Sequence, residues 1–151
     1  MTLIEHFELV SLFKRETTRL KEELLAFNYE EKMWETTGTI TNSAGNLALH
    51  LIGNLNHFIG AELGATGYVR DRDAEFSSKN IQRALILQQL EATEKMLGEV
   101  LPKLDDEKIL AMYPTPFSGK TVKTSLMLLH LLAHFNYHLG QINYLRRALQ
   151  A

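Results

Sequence analysis

Apolar residues recur along this chain at helical rather than strand spacing. In the opening stretch Leu3, Phe7, Val10, Phe13, Leu20, Leu24 and Phe27 follow one another mostly at intervals of three, four and seven, which holds them on one stripe of a helix. The spacing predicts a helix over about 3–27. A second is predicted over about 43–65, with Asn42 or Ser43 as an N-cap for the first-turn amides and Gly64 and Gly67 as the exit. A third follows the capping-type residues Ser77 and Ser78, runs over about 80–101 and stops near Pro102. The fourth, about 121–149, is the longest and the most apolar. At 1.5 Å per residue these helices are ~33–44 Å long, the length of ordinary bundle helices. The fold class expected is all-α, a four-helix bundle.

The connections are uneven. Segments 28–41, 66–79 and 102–120 all exceed the two to eight residues usual between bundle helices. They carry Trp34, Tyr68, Phe76, Tyr113 and Phe117, so these loops are expected to pack over the bundle's ends. A chain of 151 residues is read as one domain spanning 1–151, large enough to bury a sizeable core.

Composition removes several function classes. A net charge of −2 provides no basic face to neutralise phosphates, so nucleic acid is not expected as a partner. Arg146 and Arg147 read as solvated surface, as do Arg70 and Arg72, which alternate with Asp71 and Asp73. With no cysteine, a metal must be held by histidine or carboxylate, and any thiol chemistry must use a small-molecule thiol. The first residues, MTLIEHFELV, carry Glu5 and Glu8 and no basic lead, unlike a signal peptide. No apolar run approaches the ~18–20 residues of a membrane span, and the expected location is the cytoplasm.

The chemistry of this chain is concentrated in its histidines. His134 and His138 lie four residues apart in LLHLLAHFNYHLGQINYLRR, about 40° apart on the helix and one turn along it, as two imidazoles serving one ion require. With His130 set at zero, Leu131, Leu132, Phe135, Leu139 and Ile142 occupy roughly 100–180°. His134 at ~40° and His138 at ~80° are nearest that core arc, and His130 sits at its margin. On the second helix His50 and His57 share a face but stand ~10 Å apart along the axis, so one ion cannot take both. Periodicity leaves the choice between them open. Asn54 and Gln141 are placed to hold ligand rings or a bound water from behind. His57, His130 and Glu62 are candidates for a general base.

The second-helix segment ALHLIGNLNHFIGAELGATGYVRDRDAEF and the fourth-helix LLHLLAHFNYHLGQINYLRR resemble the DinB-like superfamily, in one of its uncharacterised bacterial branches, over nearly the whole chain. The resemblance implies a four-helix bundle of the DinB/YfiT-like type with a long cross-connection. It also implies a metal site built from one second-helix and two fourth-helix histidines. By position these match His50, His134 and His138, with a divalent ion such as nickel or zinc. Members of the superfamily often form homodimers and include thiol-dependent transferases and isomerases. With the sequence running to Ala151, the further C-terminal domain of the mycothiol-dependent isomerases is not expected, and no residues for recognising a thiol such as bacillithiol stand out.

Three neutral histidines leave an ion's charge uncompensated and a coordination position open, as catalytic zinc sites do. The reading is therefore a divalent-metal-binding protein acting on a small-molecule substrate, as a metal-dependent thiol S-transferase using a low-molecular-weight thiol. The alternatives are a non-catalytic, stress-associated metal-binding protein and a metal-dependent hydrolase. Two other signals are weaker. Ser118-Gly119-Lys120-Thr121 resembles the end of a phosphate-binding loop, but Pro114 stands where its first glycine belongs; a turn with Thr121 capping the fourth helix is expected instead. The stretch Tyr68–Asp73 follows the histidine-bearing helix and is expected as a loop tied by its own ion pairs, or as part of a pocket wall.

Overall fold

The computed structural model describes residues 6–150. Within them the structure is helical, apart from two isolated antiparallel bridges, Met112 with Lys123 and Phe117 with Lys120. We number the helices α1 (His6–Leu25), α2 (Ala44–Leu55), α3 (Arg72–Ser77), α4 (Arg83–Val100), α5 (Asp106–Leu110) and α6 (Thr124–Leu149). Beyond Leu55, α2 continues through a π turn at Asn56–Ala61 and a last turn at Glu62–Gly64. No helix among the described residues is long and apolar enough to cross a membrane.

Four long helices make the frame. α1 packs on α4 and α6, and α2 packs on the same two. Their shared core includes Phe13, Leu20, Leu24, Leu51, Leu55, Ile86, Leu90, Met127, Phe135 and Ile142, all essentially shielded from water. On α1 the predicted stripe is buried at Phe13, Leu20 and Leu24, with Val10 only partly buried, and Phe27 is buried just beyond the helix's end. Leu3 and the Phe7 side chain lie outside the described residues. Polar ties fix the frame's ends. Glu23 accepts from Arg146 Nε at 2.7 Å and from Asn143 Nδ2 at 2.6 Å, joining α1 to α6. Arg83 Nη1 donates to the Leu24 and Phe27 carbonyls at 3.2 and 2.9 Å, satisfying acceptors that a helix C-terminus leaves free.

Helix boundaries depart from the sequence expectations where another partner takes the terminal groups. Ser43, not Asn42, caps α2, its hydroxyl accepting from Asn46 N at 3.2 Å. The left-handed residue at its exit is Ala65, φ 50°, and Thr66 N then bonds Gly60 O at 3.2 Å. Ser77 and Ser78 close α3 rather than open α4, which begins at Arg83 with no side-chain cap from Gln82. Thr121 does not cap the last helix. Its lead-in is extended: Tyr113 N donates to Val122 O at 2.8 Å and Thr124 N to Ala111 O at 2.9 Å, so α6 starts at Thr124.

The long connections are partly helical, which explains their length. A 3₁₀ turn at Glu30–Trp34, α3 and α5 occupy their middles. Trp34 lies flat on α2 at Gly45, where an added Cβ would stand 2.8 Å from its ring. Tyr113 is buried and its hydroxyl donates to Phe58 O at 2.6 Å. Tyr68 departs from the expected packing, at 38% exposure.

Leu20 is fully buried on α1, a helix that carries none of the clustered histidines. Leu20→Ala is expected to lower the unfolding free energy by about 2–5 kcal/mol through lost burial and the cavity left behind. Urea denaturation of metal-free protein checks this through a lowered midpoint at unchanged m-value.

Candidate metal centre

Three elements meet where α2 crosses α6. From α2 comes His50, buried at 6% exposure on a face that also carries Asn46 and Gly53. From α6 come His134 and His138, one turn apart and half-buried. The third element is α3, which packs closely on α2 and delivers Glu75, a buried carboxylate.

The imidazoles converge. Ring centroids are 5.0 Å apart for His50 and His134, 5.2 Å for His50 and His138, and 4.6 Å for His134 and His138. One nitrogen from each ring can be chosen so that all lie within 4.8 Å of one another. His50 Nε2 and His134 Nε2 are 3.1 Å apart. Two nitrogens each ~2.0–2.1 Å from a tetrahedral ion stand about 3.3 Å apart, so this pair already has the spacing of two ligands.

Hydrogen bonds from behind decide which nitrogen each ring presents. Glu75 Oε1 lies 2.9 Å from His50 Nδ1. An ionised carboxylate only accepts, so Nδ1 carries the proton and Nε2 the lone pair. Gln141 Oε1 lies 2.7 Å from His138 Nδ1 and, being a carbonyl oxygen, imposes the same tautomer. His134 differs, because its Nδ1 is buried without a partner. Two of the candidate ligand rings are thus held from behind, and the third, His134, is not. An all-nitrogen donor set, two rings in a binding tautomer and an orphaned buried nitrogen fit a divalent ion.

The electrostatics favour the neutral form at His134 and His138. Burial, together with the neighbouring His138, His50, His130 and Arg70, depresses the His134 pKa to about 4. Burial also lowers His138, reinforced by His50 and partly offset by the Gln141 bond. Glu75 is pushed up by burial, but its bonds to Arg70 and His50 outweigh that and hold it below the usual carboxylate range. Arg70 grips Glu75 with both ends of its fork, Nε to Oε2 and Nη2 to Oε1, each at 2.8 Å.

Sequence reasoning placed most of this cluster. His50, His134 and His138 are together. Gln141 meets His138 Nδ1 through its Oε1. Asn54 is buried, and its Oδ1 has no hydrogen-bond partner. His57 stands apart, half-exposed and 4.0 Å from Glu62 Oε1. His130 is exposed, its ring centroid 6.2 Å from His134 and 4.4 Å from Phe117. The ties of the stretch 68–73 run outward rather than among its own residues, with Asp71 capping α3 through Ala74 N at 3.0 Å. The partner of Arg70 is Glu75 rather than a neighbouring aspartate.

Glu75 itself was missed. It lies on a six-residue helix, too short to show a period, and its only sequence sign is a carboxylate soon after the histidine-bearing helix. A groove of about 500 Å³ is lined by Thr39, Thr41, Leu47, Gln141 and Tyr144 among others. None of the three histidines lines it, but Gln141 belongs to both.

A family model described as "Protein of unknown function (DUF1572)" matches residues 5–151. No curated protein matches the chain.

The depressed His134 pKa makes metal-free stability depend on pH. Its unfolded value is the ordinary 6.5 and its folded value about 4, so below pH 6.5 the unfolded state binds more protons and stability falls as pH drops towards 4. Glu75 acts in the same direction lower in the range. Urea midpoints measured from pH 7 to pH 4 are expected to fall, and to fall less steeply in His134→Leu.

Proposed function

We propose that this chain, which belongs to the DUF1572 family of proteins of unknown function, is a DinB-like four-helix bundle that binds one divalent ion through His50, His134 and His138. The observation that carries the reading is the convergence of these rings, with ligand nitrogens within 4.8 Å of one another. Glu75 and Gln141 support it by holding the Nδ1 atoms of His50 and His138. The pairing of α1 and α2 with α4 and α6 supports the bundle.

Of the activities open to such a site, metal-dependent transfer to or from a low-molecular-weight thiol is the one we favour. Zinc or nickel held by three neutral nitrogens supplies an uncompensated positive charge that stabilises a thiolate or polarises a carbonyl. The chain lacks cysteine, so the thiol comes from outside. The protein's part is to hold three neutral rings, keep carboxylates out of direct contact with the ion and surround His50 with Phe76, whose ring centroid is 4.8 Å away. The groove sharing Gln141 with the cluster is our candidate for the substrate.

A second reading is a metal-binding protein without turnover, with the ion stabilising the bundle. Its support is that none of the three histidines lines the large groove. Thiol-consumption assays with electrophiles on metal-loaded protein separate the two, because metal without activity across several thiols favours the second. We also propose a cytoplasmic homodimer. Support for the dimer is the apolar stripe of Leu126, Leu129, Tyr137 and Tyr144 exposed on α6.

Protein purified without an affinity tag is expected to hold one ion per chain by elemental analysis. His134→Ala should lose it while keeping the helical circular-dichroism signal, and His57→Ala should keep it. Retained stoichiometric metal in His134→Ala removes the proposed site.

A further inference from the structure

Asn46, His50 and Gly53 recur at i, i+4 and i+7 and so share one face of α2. Each meets α3 or its end differently. Asn46 Nδ2 donates to the Glu75 and Ser78 carbonyls at 3.0 and 2.8 Å, and its Oδ1 accepts from Ser43 Oγ at 2.7 Å and Lys79 Nζ at 2.9 Å. His50 meets the Glu75 carboxylate at 2.9 Å. Gly53 has no side chain, and an added Cβ would stand 2.0 Å from Glu75 Oε2 and 2.7 Å from its Cδ. The carboxylate therefore lies in a notch that only glycine leaves open.

We infer that Glu75 is a positioning residue for the metal-binding ring of His50, seated by the notch at Gly53 and clamped by Arg70. The inference rests on the metal site proposed above and adds the group that aims it. A carboxylate bonded to the far nitrogen of a ligating imidazole fixes its tautomer, limits ring rotation and makes the near nitrogen a stronger donor. A buried carboxylate is expensive unless paired and hydrogen-bonded; here Arg70 forms the charge pair with two bonds, leaving Oε1 able also to accept from His50. Asn46 holds the backbone on which the carboxylate stands. Short as it is, α3 is thereby fastened at the backbone, at the ring and at the notch, and the stretch from Arg70 to Ser78 becomes part of the metal centre.

The test uses the full chain, stripped of metal and titrated with zinc alone against a chromophoric chelator, with the cobalt absorption spectrum as a second readout. Glu75→Gln and Gly53→Ala are each expected to weaken Kd by about 10–100-fold at unchanged stoichiometry. Both should shift the cobalt bands, and the double variant should be no weaker than the weaker single one. Gly53→Ala alters no ionisable group and favours helix, so it decides the matter if Glu75→Gln does not fold. Wild-type affinity and an unshifted spectrum in both variants overturn the inference while leaving the metal site standing. Weakened binding with an unshifted spectrum also overturns it, because that assigns Glu75 a purely structural role. A wild-type chain that binds no ion overturns the metal site, and the inference with it.

Discussion

Three imidazoles meet where α2 crosses α6 with ring centroids 4.6–5.2 Å apart, a spacing that disfavours charge on the rings. Each added proton would be repelled by its neighbours and penalised by burial, and both effects act on His134. That constraint organises the centre. Burial lowers the pKa of His134 and His138, while Glu75 and Gln141 each take up a ring N–H and leave a lone pair on the other nitrogen. The buried carboxylate needed for this is balanced by Arg70, and the Arg70–Glu75–His50 chain links the loop after α2 to the rings. On the proposed metal site, affinity for the ion and acid stability are coupled, since protons and the ion compete for the same lone pairs.

Helix spacing carried most of the legible information. The four-residue interval between His134 and His138 dictates a shared face, and the apolar arc of α6 indicates which histidines lie nearest the core. His50 was separable from His57 only through likeness to other sequences, because both occupy one face of the second helix. The structure adds a physical difference. Beyond Leu55 the helix widens into a π turn that includes His57, where Asn56 Nδ2 leaves the regular pattern to bond Ile52 O and Thr93 Oγ1 at 2.9 and 2.8 Å.

What the sequence concealed is non-periodic. Glu75 acts from a helix of less than two turns, and its meaning depends on Gly53, which lies more than twenty residues earlier and looks like an ordinary weak spot in a helix. Thr121 was misjudged because the bonds to Ala111 and Val122 that straighten the approach to α6 join residues about a dozen apart.

The central claim is that His50, His134 and His138 bind one divalent ion together. X-ray absorption at the zinc edge of the zinc-loaded chain tests it most directly. The account predicts three imidazole nitrogens at about 2.0–2.1 Å with at least one further light atom, and the outer-shell scattering of three rings. A first shell of oxygens alone, or scattering from a single imidazole, would contradict it.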